Sequence, residues 1–166
     1  MRAIFLLFMA VLFGSCASGL RAWRTIPVDG VRYEDVYNTT RDFLQSESRI
    51  DQAKSDRGKG VLWTKWRVQP AAFSRGKRTR IRVEIERLSP KRFNLRYCVE
   101  KQMYKDMATP LYPREDEWGG TSQDPNAEIL IGHHLRLRMA DLLGKKGIKA
   151  KGIQIRDPMK AYKREN

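Results

Sequence analysis

The sequence predicts an α+β domain in which an antiparallel sheet of about four to five strands carries two helices on one face. Two observations support this fold class. Apolar and polar residues alternate over three stretches between positions 61 and 99, as is typical of strands with one buried face. On either side, at 31–45 and 125–143, apolar residues recur at three- and four-residue spacing, which predicts amphipathic helices.

The elements before the main strands follow from local signals. Residues 23–28 predict a short strand that ends at a turn signal, Asp29-Gly30. In the helix at 31–45, the apolar face consists of Tyr33, Val36, Tyr37, Thr40, Phe43 and Leu44. Around Ile50, residues 48–54 predict only a weak strand.

The main strands are predicted at 61–69, 78–87 and 93–99. In the first of them, period-two alternation assigns Leu62, Thr64, Trp66 and Val68 to one face and Trp63, Lys65 and Arg67 to the other. A turn at 89–91 pairs the other two. The register that joins their apolar faces has the pairs Ile85–Leu95, Val83–Tyr97, Glu84–Arg96 and Arg80–Glu100. Sliding by two residues also pairs opposite charges, so both registers stay open.

The C-terminal third combines a long loop, a helix and a basic tail. Residues 102–126 form a 25-residue segment without clear periodicity. Asp124-Pro125 predicts an N-cap followed by proline at the first helical position. The helix is expected to run to residue 143 and to be closed by Gly144. The remaining residues, 144–166, include eight basic and two acidic side chains and predict a basic tail.

The N-terminus has the layout of a signal peptide. Arg2 is followed at 3–13 by eleven uncharged apolar residues, whereas a membrane-spanning helix needs about 20. The run ends in Phe13-Gly14-Ser15-Cys16, which resembles the lipobox of bacterial lipoproteins, although Phe13 stands where Leu is preferred. This resemblance implies cleavage before Cys16 and a diacylglycerol on its thiol. Ordinary cleavage at 15–19 would instead give a soluble secreted protein.

These signals divide the chain into four parts. Residues 1–15 are the expected signal peptide, 16–22 the lipid-anchor tether, 23–143 a single α+β domain and 144–166 the basic tail. The tether is short, because seven extended residue steps reach about 25 Å.

A formal net charge of +14 favours anionic partners such as lipid head groups or acidic polysaccharides. The candidate contacts are Lys65, Arg67, Arg78, Arg80, Arg82 and Arg96. Alternatively, the charge only keeps the domain soluble. Trp63 beside basic residues could also stack nucleic acid bases. Nucleic acid is a disfavoured partner, because an exported protein rarely meets it.

No catalytic residue, metal site or cofactor is predicted. His133-His134 are adjacent, so on a helix they point in different directions and cannot clamp a metal ion. Glu84 and Glu86 lie among arginines, which lower a carboxyl pKa rather than create a proton donor. Cys98 is interpreted as a partly buried strand residue. In the long loop, the candidate partner contacts are Tyr104, Leu111, Tyr112 and Trp118; alternatively, the loop folds back over its own sheet.

The element order resembles that of the α+β accessory lipoproteins of outer-membrane assembly. That resemblance implies a non-catalytic binding, scaffolding or assembly-accessory role at the periplasmic face of a membrane, with an envelope protein or an anionic polymer as partner. Ala17 after the cysteine implies the outer rather than the inner membrane. Two alternatives stay open: a secreted, non-lipidated binder of polyanions or nucleic acid, and an envelope enzyme of unknown type.

Overall fold

The computed structural model describes residues 22–70, 75–106, 113–148 and Ile153. Its elements are β1 (Arg24–Asp29), α1 (Tyr33–Glu47), β2 (Val61–Trp63), β3 (Arg67–Gln69), β4 (Lys77–Ser89), β5 (Arg92–Met103), β6 (Ser122–Gln123) and α2 (Pro125–Lys145). A 3-10 turn, Glu115–Glu117, precedes β6. Both helices pack on one face of the antiparallel sheet. The predicted α+β class is confirmed, and the sheet has six strands rather than four or five.

The long β4–β5 hairpin forms the centre of the sheet. The strand order is β1-β5-β4-β2; β3 extends the β2 edge along β4, and β6 pairs with β5 beyond β1. The predicted β4–β5 register is confirmed at all four pairs: Ile85–Leu95, Val83–Tyr97, Glu84–Arg96 and Arg80–Glu100. The shared apolar face therefore selects this register over the two-residue slide.

The hydrophobic core lies between the sheet and the two helices. It contains alternate residues of β1, β4 and β5, the central residue of β2 and one face of each helix, with these members fully buried: Val28, Val36, Leu44, Leu62, Val83, Phe93, Leu95, Tyr97, Leu135 and Met139. Helix α2 crosses the sheet closely at Gly132, where a Cβ atom would lie 1.8 Å from the Tyr97 hydroxyl oxygen. A glycine is needed here for the approach of helix and strand, not for its backbone angles.

Some element boundaries differ from the prediction. Residues 48–54 form no strand, and Ile50 makes only an isolated bridge with Thr64. The N-cap prediction is confirmed, because the Asp124 side chain accepts a hydrogen bond of 3.1 Å from the Ala127 N–H.

The C-terminal end of α2 also lies beyond its predicted position. The helix continues to Lys145, and the left-handed residue after it is Gly147, at φ +67°, rather than Gly144. Ile153 belongs to the hydrophobic core, and Ile148 packs against it. The core thus includes residues that the sequence analysis assigned to the basic tail.

Candidate binding surface

A bulge in the edge strand determines which side chains share the outer face of the sheet. Between the pairs Thr64–Ile81 and Arg67–Thr79, the edge advances three residues while β4 advances two. One extra residue reverses the alternation of the side chains that follow. Trp66 therefore lies on the outer face, over the arginines of β4. The prediction that it shares the core face is wrong.

All four tryptophans of the chain stack with arginines on the sheet face that the helices leave open. We call this stack the Trp–Arg ladder; its order is Trp118, Arg78, Trp66, Arg80, Trp63, Arg82, Trp23 and Arg96. Each guanidinium carbon lies 4.3–5.1 Å from the centroid of a neighbouring indole ring. Alternate residues on a strand are about 7 Å apart, which leaves room for one ring between two arginines. Cation–π attraction then stabilises each contact.

The arginines of the ladder also bind carboxylates with their edges. The pairs are Arg78–Glu115, Arg80–Glu100, Arg82–Glu84 and Arg96–Glu84. A planar guanidinium can stack on aromatic rings with its faces while it donates hydrogen bonds in its plane. Because three carboxylates face four arginines, the ladder carries little net charge.

The Arg80–Glu100 pair lies at the centre of the ladder. The Glu100 residue is 1% exposed; its Oε2 accepts a hydrogen bond of 2.7 Å from the Arg80 Nε–H and lies 2.7 Å from the Arg80 Nη2. Arg80 itself lies between Trp63 and Trp66, at 4.6 and 4.3 Å from their ring centroids. This pair was predicted from the register, but its burial was not, since the sequence analysis placed it on a solvated face.

Arg78 ends the ladder under the long loop. Its guanidinium is held between Trp66 and Trp118, and its Nε donates to the side-chain oxygen of Gln102 at 2.6 Å. The two remaining nitrogens donate to both oxygens of Glu115 at 2.8 and 2.7 Å. These hydrogen bonds from Arg78 lower the pKa of the Glu115 carboxyl.

The described part of the long loop folds back over the sheet, as the alternative interpretation states. Tyr104 and Trp118 are 4% and 5% exposed, and their rings meet edge to face with centroids 5.6 Å apart. They complete a small second core on the outer face rather than offering free apolar surface. Leu111 and Tyr112, the other candidate partner contacts, lie outside the described residues.

The six candidate anion contacts are in different environments. Lys65 and Arg67 are exposed, and Arg67 reaches the Glu47 carbonyl oxygen across the edge of the sheet. The other four, Arg78, Arg80, Arg82 and Arg96, are members of the ladder and are engaged by rings and carboxylates. Only the first two therefore present an exposed cation to an anionic surface.

Base stacking on Trp63 has no support in the geometry. Arg80 and Arg82 lie 4.6 and 4.8 Å from its ring centroid and occupy the ring from both sides along β4. Stacking of a nucleic acid base requires a free ring face. Binding of nucleic acid through this residue would require the ladder to come apart.

The remaining chemical candidates take structural positions. His134 Nδ1 lies 3.9 Å from a Glu47 carboxylate oxygen, and His133 is half-buried. Cys98 is buried opposite Arg82, under the ladder. Across residues 22–70, 75–106, 113–148 and 153, no three His, Cys, Asp or Glu side chains converge as metal ligands would. Within the same ranges, every helix is too short or too polar to cross a bilayer.

Comparison with known proteins gives no relative: no protein-family model, curated protein or solved structure matches this chain. The sequence analysis identified the arginines of the ladder but not their stacking. The available signal was a set of arginines at every second position of β4 beside two tryptophans of the neighbouring strand.

Proposed function

We propose that the protein is a non-catalytic lipoprotein that acts as a binding or scaffolding module at the periplasmic face of the outer membrane. The observation that carries this proposal is the signal-like segment that ends in Phe13-Gly14-Ser15-Cys16. The signal architecture gives the export route, and the cysteine gives the lipid attachment. A single acyl chain anchors weakly, whereas a diacylglycerol supplies two chains and a stable anchor.

The structure adds a reason why an anchor on Cys16 would orient the domain. Ala22 exchanges two hydrogen bonds with the Gln123 side chain, at 3.3 and 2.9 Å, and Trp23 stacks on Arg82 and Arg96. The chain is therefore fixed from Ala22 onward. Six residue steps separate it from Cys16, a reach of at most about 21 Å. An anchored chain would therefore enter the fold at the Trp23 end of the ladder.

Charge supports a second contact with an anionic surface. The ladder arginines are paired, so we assign this contact to exposed Lys65 and Arg67 and to the basic residues of 144–166. Each exposed Lys or Arg near an anionic membrane adds about 1 kcal/mol of attraction, which falls off within a Debye length. Anchor and charge would together hold the domain close to the bilayer, with the rest of its surface open to an envelope protein.

The test is intact-mass analysis of the protein purified from its native membranes. We expect a chain that begins at Cys16 and carries a diacylglyceryl group, which a Cys16→Ser variant loses together with its membrane association. A Cys98→Ala variant is the matched control, because it removes the other cysteine and should keep the lipid. An unmodified wild-type chain that begins at 17–20 would contradict the proposal and would favour a secreted polyanion binder.

A further inference from the structure

The Arg78 guanidinium is a fixed receptor for one carboxylate. The residue is only 5% exposed, Gln102 holds its Nε, and two indole rings confine its plane at 4.8 and 4.7 Å. Its two terminal nitrogens point to Glu115, whose side chain is 82% exposed. A buried, confined arginine thus presents a bidentate donor pair at the protein surface. Such preorganisation lowers the entropic cost of binding a carboxylate.

The Glu115 side chain that now occupies this donor pair is exposed, although backbone hydrogen bonds from Trp118 to Glu115 and from Lys105 to Glu117 hold the turn that carries it. Glu115 opens a 3-10 turn that buries none of its three residues. By contrast, Glu100, which binds the next arginine of the ladder, is 1% exposed and belongs to the interior. An outside carboxylate could therefore replace Glu115 with no change in packing, whereas it could not reach Glu100.

The group that now fills the donor pair favours a protein ligand over a lipid head group. It is a side-chain carboxylate in the acidic turn Glu115–Glu117, and its two oxygens match the two terminal nitrogens of Arg78. An acidic segment of a partner protein can repeat this arrangement.

We propose that the donor pair of Arg78, flanked by Trp66 and Trp118, binds a carboxylate side chain in an acidic segment of a partner protein. Glu115 is the internal competitor of this ligand. A tethered competitor acts at an effective concentration in the millimolar range, so a ligand must exceed its affinity or follow its release. The site is then mostly closed in the free protein and opens in exchange for the partner's carboxylate.

The test uses the mature chain with Cys16→Ser, so that its outcome does not depend on lipidation. The probe is a capped peptide with the sequence of residues 113–117, Pro-Arg-Glu-Asp-Glu, which contains no tryptophan. Binding is followed by the fluorescence of the ladder tryptophans and by the NMR signal of the Arg78 Nε–H. We expect Glu115→Ala to bind the peptide at least tenfold more tightly than the chain that retains Glu115, because the competitor is gone.

Two controls locate the binding. A peptide with amides in place of its three carboxylates should not bind the Glu115→Ala chain, and this control leaves the protein unchanged. Adding Arg78→Lys should also abolish binding, because lysine lacks the bidentate donor pair. Equal peptide affinity with and without Glu115, or binding that survives Arg78→Lys, would overturn the inference. Arg78-dependent binding to phosphatidylglycerol vesicles but not to the peptide would also overturn it and assign the site to a lipid head group.

Discussion

Removal of Arg80 should be among the most destabilising changes on the outer face of the sheet. The substitution Arg80→Met leaves the Glu100 carboxylate, which is 1% exposed, buried without its arginine. Loss of one partner of a buried ion pair costs about 3–5 kcal/mol. Two stacking contacts, with Trp63 and Trp66, are lost as well, at about 0.5–1 kcal/mol each. Methionine restores part of the packing, so we expect a net loss of about 4 kcal/mol.

The assay is equilibrium unfolding in urea, with the midpoint and slope compared between variants. Arg92→Met is the matched control, because Arg92 pairs with Asp29 at 3.2 Å while both side chains are at least 49% exposed. An exposed pair contributes no more than about 1 kcal/mol. The double variant Arg80→Met with Glu100→Met should recover much of the loss, since it also removes the buried carboxylate.

The reasoning would be refuted if Arg80→Met cost no more than Arg92→Met. The same conclusion would follow if the double variant were less stable than Arg80→Met alone. In the first case the carboxylate would have to reach solvent or take up a proton at little cost. In the second, the charge pair would not be the reason for the loss.

Three further predictions concern other sites. Gly132→Ala should lower the free energy of unfolding by about 3 kcal/mol, because the added Cβ would overlap the Tyr97 side chain. Gly144→Ala is the control: its Cβ would meet no other atom, so the free energy of unfolding should rise by about 0.5–1 kcal/mol. Urea unfolding measures both changes. Arg78 lowers the pKa of the Glu115 carboxyl below its usual 4.5, so this ion pair stabilises the fold above pH 4.5 and the stabilisation is lost on acidification. Arg78→Lys should raise the pKa of the Glu115 carboxyl in an NMR titration. An unchanged pKa would contradict the assignment. Lys65→Ala should weaken binding to phosphatidylglycerol vesicles about fivefold in a sedimentation assay, the equivalent of about 1 kcal/mol, and no change would remove this residue from the anionic contact.

The faces of the central strands could be predicted because alternation is a local property of the chain. In β4 and β5 the large apolar residues from Ile81 to Ile85 and from Phe93 to Val99 point to the helices, so the shared apolar face also fixed the register. The helices were predicted for the same reason, with boundaries displaced by about two residues. Strands and helices whose periodicity is unbroken are therefore readable from one sequence.

The bulge in the edge strand could not be predicted in this way. Residues 61–69 are interpreted as one straight strand, although Val61, Leu62 and Trp63 are all apolar and Thr64 and Lys65 are both polar. At the interruption, the Thr64 hydroxyl accepts a hydrogen bond from the Ile81 N–H, and Thr64 also bridges to Ile50, which lies outside any strand. Tertiary contacts thus decide the face of Trp66. Because the sequence does not reveal which face of the sheet Trp66 occupies, the stacking order of the ladder could not be predicted from it.

The ladder changes how the net charge of +14 should be interpreted. Arginines that are stacked and paired contribute to the formal charge but offer few free donors, so we assign the proposed attraction to anionic surfaces to exposed side chains such as Lys65 and Arg67 and to 144–166. That attraction acts through solvent and weakens as salt shortens the Debye length, about 8 Å at physiological ionic strength. The carboxylate site proposed at Arg78 is confined between rings and should be screened much less. Binding to vesicles should therefore fall steeply with salt while binding of the acidic peptide to the Glu115→Ala chain falls less, and equal salt dependence would mean that both are the same non-specific attraction.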